Sequence, residues 1–170
     1  GAVKSGNKKF PQLGIWEYAG FWVTKDVDVK QEDGNTTIRV KGILPLVEAG
    51  YNVEYTVYGN GVVDVAVNYK AGEKQLPMMP RFGTGLVISP AFSKLSWYGH
   101  GPLPVYNDRI TEKVGIYTST VDDEWVEYSR PQDNGYKAST RWFSLKDEKG
   151  KGIIVEGMGP IGFGVSRYSK

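Results

Sequence analysis

Cysteine is absent from the 170 residues, and histidine occurs once, as His100. The first absence excludes disulfides, cysteine-ligated zinc and a cysteine nucleophile. The second makes any histidine zinc site or Ser-His-Asp triad depend on a single side chain. Neither assigns a compartment, and bacterial cytoplasm and periplasm both stay open. An excess of one charge is also missing. The 21 Lys and Arg against 19 Asp and Glu leave a net charge of +2. That gives no basic footprint for nucleic acid. No apolar run approaches the ~20 residues of a membrane-spanning helix, so no membrane partner is expected. The first residues lack the charged and apolar regions of a signal peptide.

What is present is glycine, 22 residues, and aromatics: five Trp, eleven Tyr and six Phe. Aromatic and β-branched residues favour strands, and glycine favours turns. At about 150 residues per domain, residues 1–170 read as a single β-domain. Tyr51 to Tyr58 and Val62 to Tyr69 each alternate with period two, and Gly59-Asn60-Gly61 joins them as a hairpin. Trp22 to Val29 and Thr36 to Leu46 form another pair across a turn at Asp33-Gly34-Asn35. Further strands are expected near Leu95–Tyr98, Val114–Thr118, Trp125–Tyr128, Lys137–Leu145, Gly152–Glu156 and Ile161–Tyr168. A short helix fits only Pro11 to Ala19, with Leu13, Trp16 and Ala19 facing inward. Many short antiparallel strands with short connections predict an all-β protein, an antiparallel sandwich.

Several motifs carry possible chemistry. Gly157-Met158-Gly159-Pro160-Ile161-Gly162 matches G-x-G-x-x-G, but the alternation that follows is not helical, so a hairpin turn is expected there. His100, with a glycine on each side, reads as a loop residue. Asp122-Asp123-Glu124 reads as a solvated acidic turn, because the spaced ligands of a calcium loop are absent. Arg130-Pro131-Gln132-Asp133-Asn134-Gly135 packs a guanidinium, a carboxylate and two amides together. Such a cluster suits a polar corner that ties strands or a set of sugar hydroxyls.

Four segments resemble the carboxy-terminal domain of glycoside hydrolase family 2 β-galactosidases. Trp97-x-Gly99-x-Gly101-Pro102 with Tyr106-x-Asp108-Arg109 is similar to that family's W-x-G-x-G-P-x-E-x-Y-x-D-R. Arg130 to Gly135 with Thr140-Arg141-Trp142 resembles R-P-Q-E-N-G … R-W. Met79 to Gly83 resembles L-P-R-x-G, and Phe163 to Ser169 resembles F-x-x-S-R-Y-S. The stretch from Gly6-Asn7-Lys8 to Ala19-Gly20 is similar to the family's sequence after its D-N-D motif. Two positions depart from the pattern. The family's loop Glu is Pro104 here, which stiffens the loop, and its second-motif Glu is Asp133, one methylene shorter.

The resemblance implies part of a galactose-mutarotase-like supersandwich, truncated, without the barrel that carries the two catalytic glutamates. It implies no catalytic residue, metal site or cofactor in this chain, and a divalent or alkali cation for the parent enzyme. Gly99, His100, Gly101, Tyr106, Asp108 and Arg109 would form a mobile loop on the substrate pocket. Arg130, Asp133, Asn134, Trp97 and Arg141 would supply a supporting polar network or sugar contacts. Partners would be a β-galactoside or galactose through the parent, and the catalytic barrel of the same parent chain. A second copy would bind where a bared sheet edge or aromatic face offers contact. Two other readings stand beside this one. A free-standing carbohydrate-binding module would stack sugars on Trp97, Trp125 and Trp142; an aldose mutarotase-like enzyme would need an acid and a base.

Overall fold

A computed structural model describes residues 11–130 and 133–168. Gly6-Asn7-Lys8, Pro131-Gln132 and Ser169 of the motifs above lie outside the described residues. The chain divides into two compact units, Gly1–Thr84 and Gly85–Lys170. Each holds one four-stranded antiparallel sheet among the described residues. The all-β, antiparallel expectation therefore holds.

In the first unit a 3-10 turn, Pro11–Gly14, runs into a four-residue helix α1 (Ile15–Tyr18), as the short helical pattern predicts. Four strands follow in simple meander order: β1 (Val23–Glu32), β2 (Asn35–Leu44), β3 (Ala49–Val57) and β4 (Val63–Lys70). The β1–β2 turn places Asp33 and Gly34 at φ 51° and 78°. That left-handed pair matches the twist of the strands it joins. Register puts Val27, Val40, Val53 and Val67 in one cross-strand row, with Val29, Ile38, Tyr55 and Val65 in the next. Both rows share a face. The opposite face carries charge, with Arg39 Nε donating to Glu54 Oε2 at 2.5 Å and Lys41 meeting Asp26 at 3.4 Å. One end of the apolar face is closed by a small core of Ala19, Leu44, Val47 and Ala49, against which Trp16, Trp22, Tyr51 and Tyr69 pack. The other end is open: Val27, Val29, Val63 and Val65 are each about half exposed.

The second unit contains β5 (Lys94–Gly101), β6 (Lys113–Thr120), β7 (Lys137–Lys146) and β8 (Gly152–Phe163), in the spatial order β6-β5-β7-β8. Its core is Leu95, Trp97, Val121, Leu145 and Phe163. Inward positions on β5 alternate strictly, so Leu95 and Trp97 are followed on the same face by Gly99 and Gly101. Trp97 stacks on Tyr117 at 5.4 Å, and Phe143 stacks on Phe163 at 4.3 Å.

Four expectations about strands and turns are corrected in this unit. Gly99, His100 and Gly101 are not a mobile loop but the end of β5, paired with Gly115, Val114 and Lys113. The glycines serve close packing here rather than flexibility. A Cβ on Gly101 would lie 2.8 Å from Trp97 and 2.9 Å from Tyr117, and one on Gly99 would lie 2.8 Å from Thr140 Oγ1. A glycine inside a strand commonly marks such an approach. Next, Gly157 to Gly162 makes no hairpin turn. Pairing runs from Trp142↔Glu156 to Thr140↔Ile161, so Gly157 to Pro160 form a bulge within β8. Pro160 has no N–H for the ladder, and the bulge excuses it from donating. Ile161–Tyr168 is likewise no separate strand, because β8 already includes Ile161 and ends at Phe163. Finally, Trp125–Tyr128 is not a strand. The Asn134 side chain takes both backbone groups of Val126, its Oδ1 accepting from the N–H at 2.8 Å and its Nδ2 donating to the carbonyl at 2.6 Å.

Candidate functional site

Three segments of the second unit converge beyond the end of β5: residues 101–109, 121–130 and 133–138. Backbone bonds strap the first to the third, from Val105 N–H to Tyr136 O at 2.7 Å and from Ala138 N–H to Val105 O at 3.0 Å. Beneath the strap lies a buried ion pair that the sequence did not reveal. Lys137 Nζ meets Glu124 Oε2 at 2.5 Å, and both side chains are almost completely buried. The same ammonium donates to Pro102 O at 2.9 Å and sits 4.9 Å from the centre of the Trp97 ring. All three of its donor directions are thus occupied by an anion, a carbonyl and a π face. Glu124 is therefore a core residue and not part of a solvated turn. Gly135 adopts φ 63°, where a Cβ would lie 2.7 Å from Glu124 O.

Above this base lies an open cavity of about 320 Å³, lined by Tyr106, Asp108, Arg109 and Tyr128. Tyr106 organises it. Its O–H donates to Asp133 O at 2.5 Å and therefore accepts from Tyr128 O–H at 2.9 Å. Burial, helped by the bond to Tyr128, pushes the Tyr106 phenol well above its ordinary pKa. It stays protonated, and the direction of both bonds is fixed. Tyr106 also stacks on Tyr136 at 6.0 Å, and the Arg109 guanidinium lies 5.7 Å from the Tyr106 ring centre. Arg109 Nη2 reaches Pro104 O at 3.4 Å. The lining thus offers an acceptor-only carboxylate, a donor-only guanidinium and two phenols. That set can grip a hydroxyl-rich neutral molecule. Asp108 is the one carboxylate among the four lining residues, and the Asp133 carboxylate lies close enough to Tyr106 to help raise its pKa. No group of three metal-ligating side chains occurs among the described residues.

The residues singled out from the sequence are distributed as follows. Tyr106, Asp108 and Arg109 come together in the cavity. Gly99 and Gly101 are packed in β5. His100 is half-buried, with Nδ1 donating to Glu112 O at 2.6 Å; one ring nitrogen is thus committed to a backbone carbonyl. Asn134 is the clamp on Val126, and Asp133 supplies the carbonyl that holds Tyr106. Arg130 is exposed. Arg141 lies on β7, with its guanidinium 5.2 Å from the Tyr98 ring centre and Nη1 donating to Ser139 O at 3.2 Å. Trp97 is 1% exposed, so its expected role as a sugar platform is corrected: it is core. Of the other two tryptophans, Trp142 is half-buried and Trp125 is 51% exposed. Tyr128 joins the site although it gave no signal beyond its place in an aromatic segment.

A smaller cleft of about 180 Å³ is lined by Val121, Asp122, Trp125, Ser166, Arg167 and Tyr168. Arg167 grips Asp122 with two bonds, Nε to Oδ1 at 3.0 Å and Nη2 to Oδ2 at 2.9 Å. Hydrogen bonding from Arg167 holds the Asp122 carboxyl below its ordinary pKa.

Residues 6–170 match the family model described as "Beta galactosidase small chain". A β-galactosidase of Priestia megaterium is 29% identical over 96% of this chain, and one of Lactobacillus delbrueckii subsp. bulgaricus is 31% identical over 81%. The β-galactosidase BgaC of Bifidobacterium adolescentis is 34% identical over 69%. The chain spans only 16%, 14% and 12% of the length of these three relatives.

Proposed function

The chain belongs to the β-galactosidase small-chain family, and from that premise we propose that it serves a longer β-galactosidase as a non-catalytic carboxy-terminal domain. Its task there is to complete and shape the pocket for a terminal β-galactoside, through the cavity of Tyr106, Asp108, Arg109 and Tyr128. The observation that carries this reading is the make-up of that cavity. It has polar groups set to hold hydroxyls, on a base fixed by the Lys137–Glu124 pair, and Asp108 is the one carboxylate in its lining. Retaining hydrolysis needs two carboxyl groups about 5–5.5 Å apart. In this proposal a barrel in the same polypeptide supplies them, and the chain contributes no cofactor.

The reading is tested by incubating the 170-residue chain with nitrophenyl β-galactoside. No turnover is expected. Turnover that disappears in His100→Ala would show a catalytic site of its own and overturn the proposal.

A second copy is also part of the proposed set of partners. The half-exposed valines on the two edge strands of that face, Val27 and Val29 on β1 and Val63 and Val65 on β4, support it, because exposed apolar surface and open sheet edges commonly mark interaction surfaces. A net charge of +2 gives little repulsion between copies. Sedimentation at ~100 μM is expected to show a dimer or larger species, since a micromolar contact is filled at that concentration. A clean 18.9 kDa monomer would contradict self-association.

A further inference from the structure

The cleft between Trp125 and Tyr168 shares no lining residue with the cavity of Tyr106 and Arg109. We propose that this cleft is a second binding site of the chain, one that takes a single neutral pyranose ring.

Two large rings line it in the open. Trp125 is 51% exposed and Tyr168 70%, and their centres lie 5.1 Å apart with planes at 63°. They meet edge to face and together form an aromatic corner that stays half or more exposed. One face of a pyranose is a patch of C–H groups that stacks on such a ring, while its hydroxyls project around the edge and need polar partners.

The polar partners stand beside the rings. Nε and Nη2 of Arg167 hold the two oxygens of Asp122, and Nη1 donates to Pro90 O at 2.7 Å. A guanidinium has five N–H groups, and a carboxylate has about four lone-pair positions. Donors and acceptors are therefore left over, side by side. That alternation suits neighbouring hydroxyls, each of which can donate and accept. Ser166 adds another donor, because its Oγ accepts from Tyr168 N–H at 3.0 Å and keeps its own hydrogen.

The charge pattern selects the ligand class. Arg167 and Asp122 neutralise each other, so an anion meets the carboxylate and a cation meets the guanidinium. The bidentate geometry also fixes both side chains before a ligand arrives, which lowers the entropy lost on binding. Size sets the limit. About 180 Å³ equals the liquid share of roughly six waters, enough for one ring but not an oligosaccharide.

The test titrates the 170-residue chain with methyl β-galactopyranoside and follows the indole N–H signals of its five tryptophans by NMR. The Trp125 signal is expected to shift saturably, with a Kd on the order of millimolar for so small a ligand, while the buried Trp97 signal stays in place. Trp125→Ala is expected to weaken binding about tenfold, read from the remaining amide signals. Arg167→Lys, which keeps the charge and loses the fork, should weaken it severalfold. Inorganic phosphate should not compete. Absence of any Trp125 shift up to about 100 mM sugar, unchanged affinity in Trp125→Ala, or competition by phosphate would overturn the proposal.

Discussion

Replacing Lys137 by methionine is expected to lower the stability of the second unit by about 3–5 kcal/mol, the usual cost of removing one partner of a buried ion pair. Methionine fills much the same volume, so packing is not the main loss. What is lost is the charge that pairs with the buried Glu124 carboxylate, together with the bond to Pro102 O and the contact with the Trp97 ring. The carboxylate then stays charged and uncompensated, or takes up a proton at a cost in free energy. Glu124→Gln alone should also destabilise, because it leaves the ammonium buried. The double variant Lys137→Met/Glu124→Gln should be less destabilised than the sum of the two, since neither charge remains. Urea unfolding of the four proteins checks this. Strict additivity would show that the two groups do not act as a pair.

Trp97→Ala is expected to cost about 3–5 kcal/mol as well, by a different route. Trp97 is 1% exposed, stacks on Tyr117 and meets Phe163 edge-on at 6.4 Å. Its indole N–H donates to His100 O at 3.0 Å, which ties the last residues of β5 back onto the core. Truncation opens a cavity, frees that carbonyl and removes the aromatic face under Lys137. Trp97→Phe keeps a ring but not the hydrogen bond, and should fall between wild type and alanine. A loss below about 1 kcal/mol for Trp97→Ala, a value usual for surface changes, would contradict the placement of Trp97 at the centre of the core.

The parts of the fold that were legible in the sequence are those set by local pattern. Tyr51 to Tyr58 and Val62 to Tyr69 alternate, and the alternation became β3 and β4 with the turn between them. Asp33-Gly34-Asn35 specified a turn, and Pro11 to Ala19 specified the short helix α1 with its leading 3-10 turn. Where local chemistry pointed one way and packing another, packing prevailed. Gly99 and Gly101 have the backbone freedom of a loop, yet the rings of Trp97 and Tyr117 and the side chain of Thr140 need the space beside them. Gly157 to Pro160 has turn composition, yet β8 resumes its pairing with β7 beyond it. Trp125 to Tyr128 has strand composition, yet an asparagine side chain supplies the partner that a strand would have supplied.

The candidate site was legible in part. Tyr106, Asp108 and Arg109 sit close in sequence, so one short motif could indicate them together. The base beneath them could not be read in this way. A lysine in an alternating strand normally points to solvent. Lys137 is buried because Glu124 and Trp97, both distant in sequence, meet it in three dimensions. Glu124 was hidden for the same reason, within an acidic triplet whose other members are exposed.

In the proposed role, the cavity of Tyr106, Asp108, Arg109 and Tyr128 shapes a β-galactoside pocket without performing the chemistry. The most direct measurement is kcat/KM for nitrophenyl β-galactoside in the longer β-galactosidase in which the proposal places this chain, with Arg109→Ala and Asp108→Asn compared with wild type. Both side chains are exposed, so the domain should fold normally in each variant. A charged hydrogen bond contributes about 1.5–3 kcal/mol. The account therefore predicts a fall in kcat/KM of roughly ten- to a hundredfold, with residual activity retained. Unchanged kcat/KM in both variants would contradict a pocket role, and complete loss of turnover in a folded variant would contradict a non-catalytic one.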